Sequence, residues 1–77
     1  MTTIGYELPR EGHVLIQVLN TRGQLVRTLF AGRKESGSHA AVWDGRDTSG
    51  ATLPSGTYFY RVRSAGTVLT KKMVLLK

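Results

Sequence analysis

The sequence predicts an all-β fold of two packed antiparallel sheets with about seven strands. Two observations lead there. Apolar residues alternate with a period of two, not at the helical period of about 3.6, and turn-forming residues interrupt them roughly every 8 to 12 residues. At 77 residues the chain is expected to be one domain with one core. With no Cys and only two His, that core has no disulfide framework and must be held by packing and backbone pairing.

The strands follow in order. Ile4, Tyr6 and Leu8 share one face of the first strand, opposite Thr3, Gly5 and Glu7, and Pro9 with Glu11-Gly12 ends it. The second, His13 to Leu19, turns Val14, Ile16 and Val18 inward, with Leu15 and Leu19 under a loop or an edge. Asn20-Thr21-Arg22-Gly23 then makes a hairpin, because Asn bonds its own backbone and Gly accepts positive φ; the third strand runs from Gln24 to Phe30. Ala31 to Ser38, rich in Gly, Ser and charge, reads as the longest loop, crossing between the sheets.

His39 to Trp43 is a short strand, followed by the turn Asp44 to Gly50, whose Asp side chains are suited to capping freed backbone N–H groups. Pro54-Ser55-Gly56 turns the chain again. Thr57 to Ser64 is the clearest strand, with Tyr58, Tyr60 and Val62 on one face and Phe59, Arg61 and Arg63 on the other. After Ala65-Gly66, Thr67 to Leu76 returns as the last strand, with Lys71-Lys72 at a bulge or on the outer face before the apolar run Met73 to Leu76. Short antiparallel strands at this spacing fit an immunoglobulin-like β-sandwich, although the Cys–Trp–Cys pattern of antibody domains is absent. Five-stranded nucleic-acid-binding barrels usually include a helix, and no segment offers one.

Net charge is +6, which biases the chain toward polyanions, but only Arg33-Lys34 and Lys71-Lys72 are adjacent pairs. Without a basic stripe or a recognition motif, nucleic acid is not an expected partner. No run reaches the length of a membrane span, and the opening from Met1 to Glu7 lacks the basic start and apolar core of a signal peptide. A strand pattern beginning so soon after Met1 suits a free-standing protein or a domain cut from a longer one with Met1 added.

Catalysis is not expected. There is no G-x-S-x-G elbow, Ser49 and Ser55 read as turn residues, and so small a sandwich hardly encloses a pocket. Asp44 and Asp47 flank Arg46, too few oxygens for calcium, and His13 and His39 read as exposed strand-end histidines without ligand spacing. Neither a metal nor another cofactor is therefore expected. Trp43, Tyr58 and Tyr60 read as core rather than as a stacking platform, while Phe59 shares a face with Arg61 and Arg63. A Lys–Asn or Lys–Asp crosslink is disfavoured by the absence of Lys from the early strands.

The run Val42-Trp43-Asp44-Gly45-Arg46-Asp47-Thr48-Ser49-Gly50, followed by Leu53-Pro54-Ser55-Gly56-Thr57-Tyr58-Phe59-Tyr60, resembles the immunoglobulin-like domain of the flagellar hook-capping protein family. Ile16 to Leu29 looks like that family's second and third strands, and Gly37-Ser38-His39 like the entry to its Trp strand. The resemblance marks Trp43, Asp44, Gly45, Asp47, Gly50, Pro54, Gly56, Tyr58 and Tyr60 as the structural motif. Within the family, the ending Lys71, Lys72, Met73, Val74, Leu75, Leu76, Lys77 looks like that of a type IX secretion C-terminal sorting domain.

That branch implies a domain at the C-terminus of a larger secreted protein. It would carry a fused N-terminal cargo across the periplasm to the surface of a Gram-negative bacterium. The implied partners are the outer-membrane translocon, a shuttle and a sortase-like protease of the type IX system. The last strand would be offered to a receptor by strand addition or groove insertion. The alternatives are a structural, adhesive or hook-cap-like assembly module and, behind it, a basic single-strand nucleic-acid binder. Open sheets also leave edges, so self-association through an edge strand is a further expected mode.

Overall fold

The computed structural model describes residues 1–76 and contains six strands: β1 Thr2–Leu8, β2 Gly12–Leu19, β3 Leu25–Lys34, β4 Gly37–Trp43, β5 Gly56–Ser64 and β6 Thr67–Leu75. Strands β1 and β4 pair as one sheet, and the other four are ordered β3-β2-β5-β6. Every pairing is antiparallel. This is the expected immunoglobulin-like sandwich with six strands instead of about seven. Between Trp43 and Gly56 the β-pairing is reduced to an isolated bridge, Arg46 to Thr52, because turns and side-chain caps occupy that segment.

The interior follows the alternation. Ile4, Val18, Trp43, Tyr58, Met73 and Leu75 form one buried cluster, and Tyr6, Leu8, Val14, Ile16 and Val62 form a second; Leu29 and Tyr60 pack against both. Burying each large apolar side chain stabilises the fold by about 1.5–3 kcal/mol before entropy is charged against it. Tyr6 also stacks on His39, with ring centroids 5.5 Å apart, and burial pushes its hydroxyl pKa up.

One expectation is corrected. Ala31 to Ser38 is not a long loop: Ala31 to Lys34 extend β3 against Gly12 to Leu15, Gly37 opens β4 opposite Leu8, and only Glu35 and Ser36 lie between the strands. A segment too polar to bury itself can still complete a hydrogen-bonded ladder at the margin of a sheet. Its Gly32 also makes room for the ring of Phe30, which would lie 3.2 Å from an added Cβ, and the Lys34 ammonium rests 4.7 Å from the centroid of that ring.

Two irregularities in the β2–β3 register, at Ile16/Gln17 and Val18/Leu19, leave Leu29 and Val26 as extra residues on β3. Both are half-buried against the core, as expected when a bulge re-aims a side chain.

Candidate docking surface

The loop after β4 is built around Trp43, which is fully buried. Its indole N–H donates to the Arg46 carbonyl at 3.0 Å, and its ring meets Tyr58 edge-on at 5.1 Å. The Tyr58 hydroxyl donates to the Pro54 carbonyl at 2.7 Å, tying the second turn to β5. Tyr60 is half-buried between the two clusters, so the aromatic residues of the motif are core residues, as the alternation predicts.

The two Asp side chains act as caps. Asp44 Oδ1 accepts from the Arg46 N–H and from Arg27 Nη1, both at 3.1 Å, and the same Arg27 nitrogen donates to the Arg46 carbonyl. Asp47 Oδ1 accepts from the Ser49 hydroxyl at 2.7 Å and from the N–H groups of Ser49 and Ala51 at 3.0 Å. The Ser49 hydroxyl, then the Ala51 N–H, with smaller contributions from the Ser49 and Gly50 N–H groups, holds the Asp47 carboxyl below the usual range.

Glycine is required at two places in this turn. Gly45 and Gly50 have φ of 78° and 88°, in the left-handed region that side chains with a Cβ rarely adopt. Thr48 then anchors the loop on β3, donating its N–H at 3.0 Å and its hydroxyl at 3.3 Å to the carbonyl of bulge residue Val26. Gly56 opens β5 opposite Leu75.

The terminal residues do not act as one exposed unit. Met73 and Leu75 are buried in the core, while Val74 and Leu76 are exposed. The β5–β6 register is unbroken, so Lys71 and Lys72 are not at a bulge; they lie opposite Tyr60 and Phe59. Lys72 is therefore on the outer face. Lys71 shares the inward side with Met73 yet remains exposed, since only two strands oppose the four-stranded sheet. Lys77 lies outside the described residues.

The outer face of the four-stranded sheet gathers residues far apart in sequence. Directly paired residues share a face, so one row reads Lys72, Phe59, Leu19, Leu25, the next Thr70, Arg61, Gln17, Thr28, and a third Val68, Arg63, Leu15, Ala31. Leu19, expected under a loop or an edge, is 8% exposed within the first of these rows. Arg61 donates from Nε at 3.3 Å and from Nη2 at 2.8 Å to Gln17 Oε1, which orients its guanidinium. This face was not singled out by sequence reasoning beyond the joint position of Phe59, Arg61 and Arg63.

Elsewhere the surface offers little chemistry. His39 is paired with Tyr6 within β4 and shares a hydrogen bond with the Glu35 carbonyl at 2.7 Å, so it is half-buried rather than an exposed strand end; His13 is exposed. Among the described residues no three His, Cys, Asp or Glu side chains group to hold a metal, and no helix is long and apolar enough to cross a membrane. A groove of about 490 Å³ runs between the end of β1 and the β5–β6 turn, lined by Tyr6, Leu8, Pro9, Val62 and Leu69 among others.

Comparison with known proteins gives one consistent result. The FlgD Ig-like domain family matches residues 2–67, which includes every strand up to the start of β6. The basal-body rod modification protein FlgD of Salmonella typhimurium is 38% identical over 58 residues, covering 74% of this chain, and that of Escherichia coli K12 is 36% identical over the same length. The chain spans about a quarter of the length of these curated relatives, 25% in each case. The crystal structure of FlgD from P. aeruginosa superposes with a TM-score of 0.76 at 28% identity, covering 95% of this chain and 59% of that one.

Proposed function

The chain belongs to the FlgD Ig-like domain family, and we propose that it is a non-catalytic, hook-cap-like assembly module that works outside the cytoplasm as part of a larger surface structure. The observation that carries this reading is the likeness of nearly the whole domain to FlgD of P. aeruginosa, 95% of the chain at a TM-score of 0.76. The Trp43 loop supports it: the hydrogen bonds of Trp43, Asp44 and Asp47 there hold the turn, and the broad surface the fold presents to a partner is sheet. A chimera tests the reading. Residues 1–77 replace the matching segment of the Salmonella FlgD, and hook formation in cells lacking their own FlgD is expected to return. Export of the chimera without hooks would defeat it.

The sorting-domain reading is finer than the family match, and the relatives named above favour the assembly module instead. Its support is confined to β6, whose outer edge is unpaired and whose Val74 and Leu76 are exposed. Strand addition at that edge would leave Met73 and Leu75 in the core. A signal-bearing reporter fused ahead of Met1 separates the two readings: export that depends on a working type IX system establishes sorting, and equal periplasmic retention with and without the system removes it.

A further inference from the structure

Strands β2, β3, β5 and β6 carry seven of the eleven Lys and Arg side chains and none of the five carboxylates. The acids are on β1 (Glu7) or between strands (Glu11, Glu35, Asp44, Asp47). Ion pairs among the described residues join Arg27 to Asp44 and Arg33 to Glu11; none includes Arg61, Arg63 or Lys72. The outer face of this sheet thus combines Arg61, Arg63 and Lys72 with Phe59, Leu25 and Val68, without a carboxylate in any of its strands.

We propose that this face docks a protein partner whose contacting surface alternates carboxylates with apolar side chains. Arg61 is the anchor. Gln17 takes up Nε and one side of Nη2, leaving Nη1 and the outer hydrogen of Nη2 as an end-on fork that matches a carboxylate, on a half-buried side chain that is already oriented. Leu25 and Val68, about half exposed, with half-buried Phe59, supply apolar contact beside it. A second copy of the same face would set cation against cation, which disfavours self-pairing there. Single-stranded nucleic acid binds on successive stacked rings, and the strands' outward positions offer Phe59 and, three rows away, His13, not a run of neighbouring rings.

The proposal names the partner chemistry of the assembly reading and rests on that reading. Its test is an NMR titration of the 77-residue domain with a synthetic peptide alternating Glu and Leu, alongside oligothymidylate and phosphatidylglycerol vesicles. Binding is expected to shift Phe59, Arg61, Arg63 and Lys72, and Arg61→Gln and Lys72→Gln are expected to weaken it, the former by about tenfold. Arg22→Gln, in the β2–β3 turn with the same charge change, is expected to have less than about a twofold effect. Urea unfolding of each variant checks that the fold is kept. No binding, equal losses in Arg22→Gln and Arg61→Gln, or tighter binding of the oligonucleotide or vesicles would overturn the proposal. A chimera that restores hooks while its domain shows no preference for the acidic peptide removes the face and spares the assembly reading.

Discussion

Gly45 and Leu75 are in contact: a Cβ built on Gly45 would stand 3.2 Å from Leu75 Cδ1 and 3.3 Å from Cδ2, on a backbone with φ of 78°. The loop that follows Trp43 therefore closes on the last strand, which belongs to the same core as the loop's own tryptophan.

That contact yields the first prediction. Gly45→Ala has both the left-handed φ and the Leu75 methyls against it, and is expected to cost about 1–3 kcal/mol. Leu75→Ala is expected to cost about 2–5 kcal/mol through the cavity it leaves. The double variant should be less destabilised than the sum, because the smaller side chain makes room for the new Cβ. Urea unfolding of the four proteins measures this, and strict additivity would show that the contact carries no strain.

Neighbouring residues of β6 should respond in opposite ways. Met73→Ala empties core volume and is expected to cost about 2–5 kcal/mol, whereas Val74→Ala, on an exposed site, should stay within about 0.5 kcal/mol of the parent. Deleting residues 70–77 removes Met73 and Leu75 and is expected to unfold the domain, as circular dichroism would report. Loss of export on such a deletion would then reflect lost folding, so point changes at Lys72 and Val74 are the informative variants.

The hydroxyl of Tyr58 is expected to matter modestly. Tyr58→Phe keeps the ring against Trp43 and removes only the bond to the Pro54 carbonyl, a loss of about 0.5–1.5 kcal/mol. Trp43→Ala removes the centre of the cluster and is expected to cost about 3–5 kcal/mol. Thermal unfolding should rank the two variants in that order.

Asp47 links the loop to pH. Its folded pKa is depressed, so the stabilisation it gives is present above the unfolded carboxyl value and is lost as pH falls through the folded one. Stability should therefore decline on acidification below about pH 4. In Asp47→Asn that part of the decline should disappear, with lower stability at neutral pH. Unfolding midpoints between neutral pH and pH 2 read the difference, and parallel curves for the two proteins would contradict the assignment.

Much of this architecture was legible in the residue order. Ile4, Tyr6 and Leu8 on one face, Tyr58, Tyr60 and Val62 on another, and the Asn20–Gly23 hairpin follow from period and turn chemistry alone, and Asn20 Oδ1 indeed accepts from the N–H groups of Arg22 and Gln24. The capping roles of Asp44 and Asp47 were legible for the same local reason. What escaped depends on partners distant in sequence. Ala31 to Lys34 look like loop until β2 is placed beside them, and Leu19 reads as lying under a loop or an edge until pairing sets it within the sheet between Leu25 and Phe59. The cations of the docking face appear scattered along the chain because Arg61 and Lys72 come together only through strand pairing.

The most direct test of the account is site-specific photo-crosslinking in the chimeric FlgD, with p-benzoylphenylalanine in place of Phe59 or, as a control, Arg22. In cells whose hooks assemble, the probe at Phe59 is predicted to capture a neighbouring protein surface and the probe at Arg22 is not. Assembled hooks with no adduct at Phe59, or equal adducts at both positions, would contradict the claim that the outer face of the four-stranded sheet is the docking surface.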